Sequence, residues 1–234
     1  MTTPVTFAAV AWLPCAYLLG AIPTSYVVAR AVAGVDLREF GSKNLGATNL
    51  YRLLGWGAAI PVALFDVAKG GAPVLLFLSL GSGPAWWALV VGCAAVLGHV
   101  FSPFVRFRGG KGIASAAGVF LAYVPGAIGA DAVVWIALVA GTGYVSVGSV
   151  SAAVAFPVLV AVLYPGRPEA LWVAVAVAAF VIFNHRSNLR RLAAGTEARF
   201  GHRKKAAADA VGPGSEASVA PPARSGPRTS GTAP

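Results

Sequence analysis

A chain of 234 residues that is 57% hydrophobic and 11% charged has too little polar surface to cover a water-soluble globule. A mean hydropathy of +0.74 points to lipid as its solvent. The net charge of +10 is then a matter of membrane topology, and the two cysteines, both inside apolar segments, give neither a disulfide framework nor a metal-ligand spacing.

The first apolar stretch, Met1 to Ala29, carries no charge and lacks a basic n-region. It is too long for a signal-peptide core despite the Ala31-Val32-Ala33 triplet, and it reads as a retained helix over about 6–30. Further helices are predicted over 53–79, 84–104, 113–126, 130–145, 149–164 and 169–185, divided by turn signals such as Gly81-Ser82-Gly83-Pro84, Pro125-Gly126 and Tyr164-Pro165-Gly166. The expected fold is all-α, a polytopic membrane protein with seven transmembrane helices. Five is the alternative count, because residues 113–144 supply only about 16 residues, or roughly 24 Å, per crossing.

All but Lys69 and Arg167 of the 18 Lys and Arg fall in the connections 35–52, 106–112 and 146–149, near them, or in the tail. The positive-inside rule makes that side cytoplasmic, with the N-terminus outside and the C-terminus inside. Residues 1–201 read as one membrane-embedded domain, and 202–234, rich in Ala, Pro, Ser, Gly and scattered Arg, as a disordered cytoplasmic tail.

Four polar segments sit at the predicted cytoplasmic helix ends. The first loop places Gly41, Ser42, Lys43, Asn44, Gly46, Thr48, Asn49 and Arg52 together. Glycines let backbone N–H groups approach an anion, hydroxyl and amide side chains add donors, Arg52 offers a planar fork, and a helix starting near Thr48 adds its positive end. The second holds His99, Arg106, Arg108, Gly109, Gly110, Lys111 and Gly112. Its spacing is not that of a Walker loop, so nucleotide binding is unsupported, but Gly-Gly-Lys-Gly before a helix suits an anion nest. Arg106 and Arg108, alternating with Phe104 and Phe107, read as interface anchors.

The third and fourth segments carry Ser146 and Ser149, which alone read as helix caps, and His185, Asn188 and the topogenic Arg186, Arg190 and Arg191. His99 reads either as a packing histidine or as a proton-handling one. Asp66 and Lys69, three apart, suit an intramembrane ion pair, structural or in direct contact with substrate. Each segment alone has an ordinary structural reading. Their combination argues for one anionic site, and the concentration of polar residues at one face disfavours a transport pathway.

These segments, GSKNLGATNLYRLLG (41–55), FDVAKG (65–70), LGHVFSPFVRFRGGKG (97–112), YVSVGS (144–149) and HRSNLRRLAAGTE (185–197), resemble the PlsY family of bacterial membrane acyltransferases over about residues 8–201. The resemblance implies seven helices, a place in the bacterial cytoplasmic membrane, and no metal, nucleotide or other cofactor. It also implies acyl transfer from acyl phosphate to glycerol 3-phosphate as the first acylation of phospholipid synthesis. The partners it implies are those two substrates and membrane lipid, with no nucleic acid and no obligate protein partner. Carried over by motif, Ser42, Asn44, Arg52, Lys111 and His185 resemble glycerol-phosphate or catalytic contacts, with His99 joining the catalytic set. The glycines 41, 46, 109 and 110 and Thr48 resemble an acyl-phosphate cradle, and Asn49, Ser146, Ser149 and Asn188 further substrate contacts. Lys43 departs from the family's usual glycine, where a side chain restricts positive φ.

Overall fold

The computed structural model describes residues 4–81 and 83–200; the tail expected from 202 onward lies outside them. Among the described residues all regular structure is helical. The helices are α1 (Phe7–Gly20), α2 (Thr24–Ala33), α3 (Ala47–Leu54), α4 (Trp56–Leu80), α5 (Trp87–Val100), α6 (Ile113–Tyr123), α7 (Pro125–Thr142), α8 (Val145–Leu163), α9 (Pro168–Asn184) and α10 (Arg186–Ala193), with a 3-10 turn at Pro103–Val105.

Among the described residues five stretches are long and apolar enough to cross a bilayer: Phe7–Ala33, Trp56–Leu80, Trp87–Val105, Pro125–Thr142 and Val145–Leu163. The pair α9 and α10, bent by 53°, makes a sixth if taken as one broken span. Each of the seven expected helices has a counterpart, but α6 has 11 residues, about 16 Å of helix, short of a bilayer core.

The first expected helix is broken. Pro23 interrupts it, and the carbonyls freed at the break find side-chain donors: Lys69 Nζ donates to Ile22 O at 2.7 Å and Ser102 Oγ to Ala21 O at 2.5 Å. Lys69 also pairs with Asp66 Oδ1 at 2.7 Å, so the expected ion pair forms and part of its work is to seal this break. The expected 146–149 connection is likewise helical, because α8 starts at Val145. Ser146 and Ser149 do not cap it, since its N-cap is Tyr144 and makes no side-chain capping bond. Pro125, at the first position of α7, starts that helix five residues earlier than expected. Cys15 is exposed on α1 rather than packed, and Cys93 is half-buried.

Small residues bring the helices together. A Cβ at Gly70 would lie 2.1 Å from Ser115 O, and one at Gly118 would lie 1.9 Å from Val67 O, so α4 and α6 meet backbone to backbone. The main core, with Phe77, Leu89, Val91, Phe120 and Phe156, joins α1 and α4 through α9. A second cluster of Leu37, Phe40, Leu45, Leu50, Leu53 and Val105 lies under the first polar loop and fastens it to α2, α3 and the turn after α5. Leu64, Leu76, Val133, Val162 and Trp172 face outward, as a lipid-solvated protein requires.

Candidate active site

The loop between α2 and α3 is organised by one side chain. Asn49 is 1% exposed; its Nδ2 donates to Phe40 O at 2.9 Å and to Leu37 O and Asn44 O at 3.2 Å, and its Oδ1 accepts from Ser42 N at 3.0 Å. Its amide protons are therefore committed to the fold of the loop. Gly41 has φ +57, and a Cβ there would lie 2.5 Å from Asn49 Oδ1. Lys43 also takes a positive φ of 58°, so the loop imposes this conformation even on a residue with a side chain, and Lys43 stands exposed. Arg38 Nη2 reaches Asp36 Oδ2 at 2.6 Å in the same loop, and its hydrogen bond holds the Asp36 carboxyl down at about 2.

Above this loop lies a cavity of about 270 Å³. Ser42, Asn44, Gly46, Thr48, Asn49 and Arg52 reach it from the loop and α3. His99 and Lys111 come from the end of α5 and the following loop, Ser146 and Ser149 from the first turns of α8, and His185 and Asn188 from the α9–α10 bend. Twelve of the fifteen expected site residues thus share one cavity.

Gly41, Gly109 and Gly110 do not line it. Gly109 N donates to Val100 O at 2.9 Å and Gly110 N to His99 O at 3.1 Å, so neither amide is open to an anion. A Cβ at Gly110 would fall 2.1 Å from His99 Nε2. Gly110 makes room for the His99 ring and Gly109 for the backbone carbonyls of His99 and Val100, and the expected nest narrows to Lys111 and the start of α6.

The charged groups are linked. Lys111 Nζ donates to Asn188 Oδ1, Asn188 Nδ2 donates to Glu197 Oε1 at 2.6 Å, and Arg191 Nε donates to Glu197 Oε2 at 2.7 Å. Burial pushes the Lys111 ammonium down to about 8, against the attraction of Glu197, with Arg191 and Arg52 adding to the fall. Burial also lowers Arg52, which stays charged. Burial raises the Glu197 carboxyl, but hydrogen bonds from Asn188 and Arg191 outweigh it and leave it lowered.

Both cavity histidines are buried. His185 Nδ1 is 2.8 Å from Val181 O. A carbonyl only accepts, so Nδ1 carries the proton and the neutral ring keeps its lone pair on Nε2. His99 Nδ1 lies 3.8 Å from Asp66 Oδ1, which also accepts from Lys69 and, at 3.4 Å, from Thr24 Oγ1.

A second, apolar cavity of about 430 Å³ runs between α6, α7, α8 and α9. Ile113, Trp135 and Ser149 line both cavities, and Trp135 Nε1 donates to Ser149 Oγ at 3.2 Å. A cationic chamber therefore opens onto a groove suited to hydrocarbon.

Sequence reasoning assigned no site role to Glu197, Trp135, Tyr51 or Phe200, all of which line the polar cavity. Phe200 stacks on Tyr51 with centroids 5.0 Å apart, and its N–H donates to Gly143 O at 2.7 Å, so the segment after α10 folds across the site. A lone carboxylate within a run of cations was the available signal for Glu197; Trp135 had none.

The family model described as glycerol-3-phosphate acyltransferase matches residues 10–195. A glycerol-3-phosphate acyltransferase of Geobacter sulfurreducens is 47% identical over 185 residues, covering 79% of this chain and 94% of that one. One of Thermus thermophilus is 46% identical over 202 residues, covering 85% and 98%. A crystal structure of PlsY (YgiH), an integral membrane glycerol 3-phosphate acyltransferase, in its glycerol 3-phosphate form, superposes with a TM-score of 0.77 at 38% identity, over 82% of this chain and 96% of that one. Its lysophosphatidic acid form gives 0.75 at 36% identity, over 82% and 95%.

Proposed function

The chain belongs to the glycerol-3-phosphate acyltransferase family, and on that premise we propose that it transfers an acyl group from acyl phosphate to the primary hydroxyl of glycerol 3-phosphate. The products are 1-acyl-glycerol 3-phosphate and phosphate, the first acylation of phospholipid synthesis. The observation that carries this reading is the junction at Ile113, Trp135 and Ser149, where a chamber holding Arg52 and Lys111 meets an apolar groove. Each substrate carries a phosphate, and the donor alone brings a long hydrocarbon chain.

In this reading Arg52 grips a phosphate through its fork and Lys111 as a point charge held by Asn188. Ser42, Thr48 and the first amides of α3, which have no intrahelical partners, add donors. The acyl chain lies in the groove, so the donor carbonyl sits at the junction.

The glycerol hydroxyl oxygen attacks the carbonyl carbon, the bond from that carbon to the phosphate oxygen breaks, and the departing phosphate takes the hydroxyl proton. A mixed anhydride is already activated, so alignment and charge stabilisation suffice and no acyl-enzyme is needed. His185, through Nε2, accepts a hydrogen bond from the acceptor substrate, and His99 supports the wall of the chamber beside Asp66.

The site faces the cytoplasm of a bacterial cytoplasmic membrane, with the N-terminus outside, because the basic residues gather at that face. A cysteine at exposed Lys43 should then resist an impermeant reagent added to sealed cells.

The deciding experiment supplies purified protein with glycerol 3-phosphate and either acyl phosphate or acyl coenzyme A of the same chain. Product from acyl phosphate alone is expected; equal use of the thioester would overturn the donor assignment, and no product from either would overturn acyl transfer.

A further inference from the structure

Among the described residues lining the apolar groove, Asp131 is the one that carries a formal charge, and its Oδ1 is buried with no hydrogen-bond partner. The walls are otherwise apolar, with alanines such as Ala116, Ala152 and Ala174 set between larger side chains such as Ile128 and Val177, and the other polar groups are satisfied, Trp135 donating to Ser149. Asp131 itself is half-buried, so its carboxyl still borders the groove, and a carboxyl without a donor in a hydrocarbon wall is a standing cost that an occupant bringing a hydroxyl would relieve.

The depth of Asp131 is set by helix geometry. It lies four residues before Trp135 on α7, about 6 Å from the junction with the polar chamber. The far end is marked by Phe120 and Phe156, whose rings pack with centroids 4.6 Å apart. They lie seven residues beyond Ile113 and Ser149, about 10 Å along α6 and α8. Asp131 therefore faces the middle of the groove, several carbons beyond a carbonyl held at the junction.

Resting on the acyl-transfer reading, we propose that Asp131 is a specificity-determining residue that accepts donors bearing a hydroxyl part-way along the acyl chain. A hydroxyl both donates and accepts, so it pairs with this carboxyl whether ionised or protonated. An unsubstituted chain leaves the carboxyl without a donor, whereas a chain with its hydroxyl at another depth buries that group against alanine and phenylalanine. The groove thus favours one hydroxyl position over its neighbours.

The test measures kcat/KM for a set of acyl phosphates of equal length, one unsubstituted and the others hydroxylated at successive carbons, with the wild-type protein, Asp131→Leu and Asp131→Asn. In wild type one mid-chain hydroxyl position should stand out, with hydroxyls near the carbonyl or the chain end about tenfold poorer. Asp131→Leu should lower the ratio of the favoured hydroxylated donor to the plain donor by about tenfold, and Asp131→Asn, which keeps an acceptor and a donor, should largely preserve it.

Uniform discrimination against every hydroxyl in the wild type would overturn the proposal without any variant. An unchanged ratio in Asp131→Leu would do the same, since a merely structural role changes both donors together. Failure of the wild type to use the plain acyl phosphate would instead sink the acyl-transfer reading, and this proposal with it.

Discussion

Asn188 joins Lys111 to Glu197: its Oδ1 accepts from the ammonium and its Nδ2 donates to the carboxylate at 2.6 Å. Glu197 is thus held one amide away from the Lys111 ammonium, whose charged form it favours against the effect of burial.

This fixes the sign of a pH effect. With the Lys111 ammonium at about 8, well below its ordinary 10.5, the free protein loses a phosphate-binding charge as pH rises through that value. The kcat/KM for glycerol 3-phosphate should fall above about pH 8, whereas kcat, read with phosphates bound that favour the charged form, should hold to higher pH. Glu197→Gln removes the raising influence and should move the fall to lower pH. Lys111→Arg should abolish it, and an alkaline limb that survived in Lys111→Arg would assign the titration to another group.

Arg52→Lys should weaken use of glycerol 3-phosphate by more than a conserved charge suggests, because lysine cannot reproduce a bidentate fork. A loss of about 1–3 kcal/mol in transition-state stabilisation is expected from kcat/KM. An unchanged value would remove Arg52 from phosphate binding.

Asn49→Leu preserves bulk but strands the carbonyls of Leu37, Phe40 and Asn44 and the amide of Ser42. With several buried groups left unpaired, each costing about 1–3 kcal/mol, thermal unfolding of the purified protein should shift well downward. An unaltered melting temperature would show that the loop does not depend on this side chain.

Asn49 also shows where sequence reasoning stopped. Clustered Asn, Ser, Thr and Gly beside cations were legible as one polar site, and the cavity brings most of them together. Their division of labour was not legible, because an asparagine that binds a substrate and one that binds its own loop are the same letter. The helices were legible from hydrophobic runs, and Pro23 offered a local reason for the break after α1. Their packing faces were not. Where lipid is as apolar as the core, no polar stripe marks the outside of α7, so nothing singled out Trp135 as the hinge between chamber and groove.

Truncation can separate the tail from the segment that covers the site. A chain ending after Gly201 retains the Phe200 stack on Tyr51 and the bond to Gly143, and it should keep wild-type specific activity. One ending after Gly195 loses Glu197 and Phe200 and should lose most of its kcat/KM for glycerol 3-phosphate. Full activity in the shorter chain would show that 196–200 is dispensable.

The last prediction concerns the proton released when the glycerol hydroxyl attacks. His99 and His185 both line the chamber, and the donor phosphate would lie beside the hydroxyl. A phosphate has a second pKa near 6 and histidine a reference value near 6.5, so the wild-type profile alone does not separate them. Geometry separates their tasks better. His185 commits Nδ1 to Val181 O, which fixes its tautomer, and His99 packs between Gly110 and Asp66. Both arrangements suit a neutral ring that orients a partner, and the departing phosphate needs a proton in the same step. His99→Asn and His185→Asn should therefore lower kcat while keeping the wild-type acidic limb, because the titrating group is carried by the substrate. If instead one variant lost that limb and its rate rose in proportion to hydroxide, the histidine removed would be the base and the substrate phosphate only a leaving group.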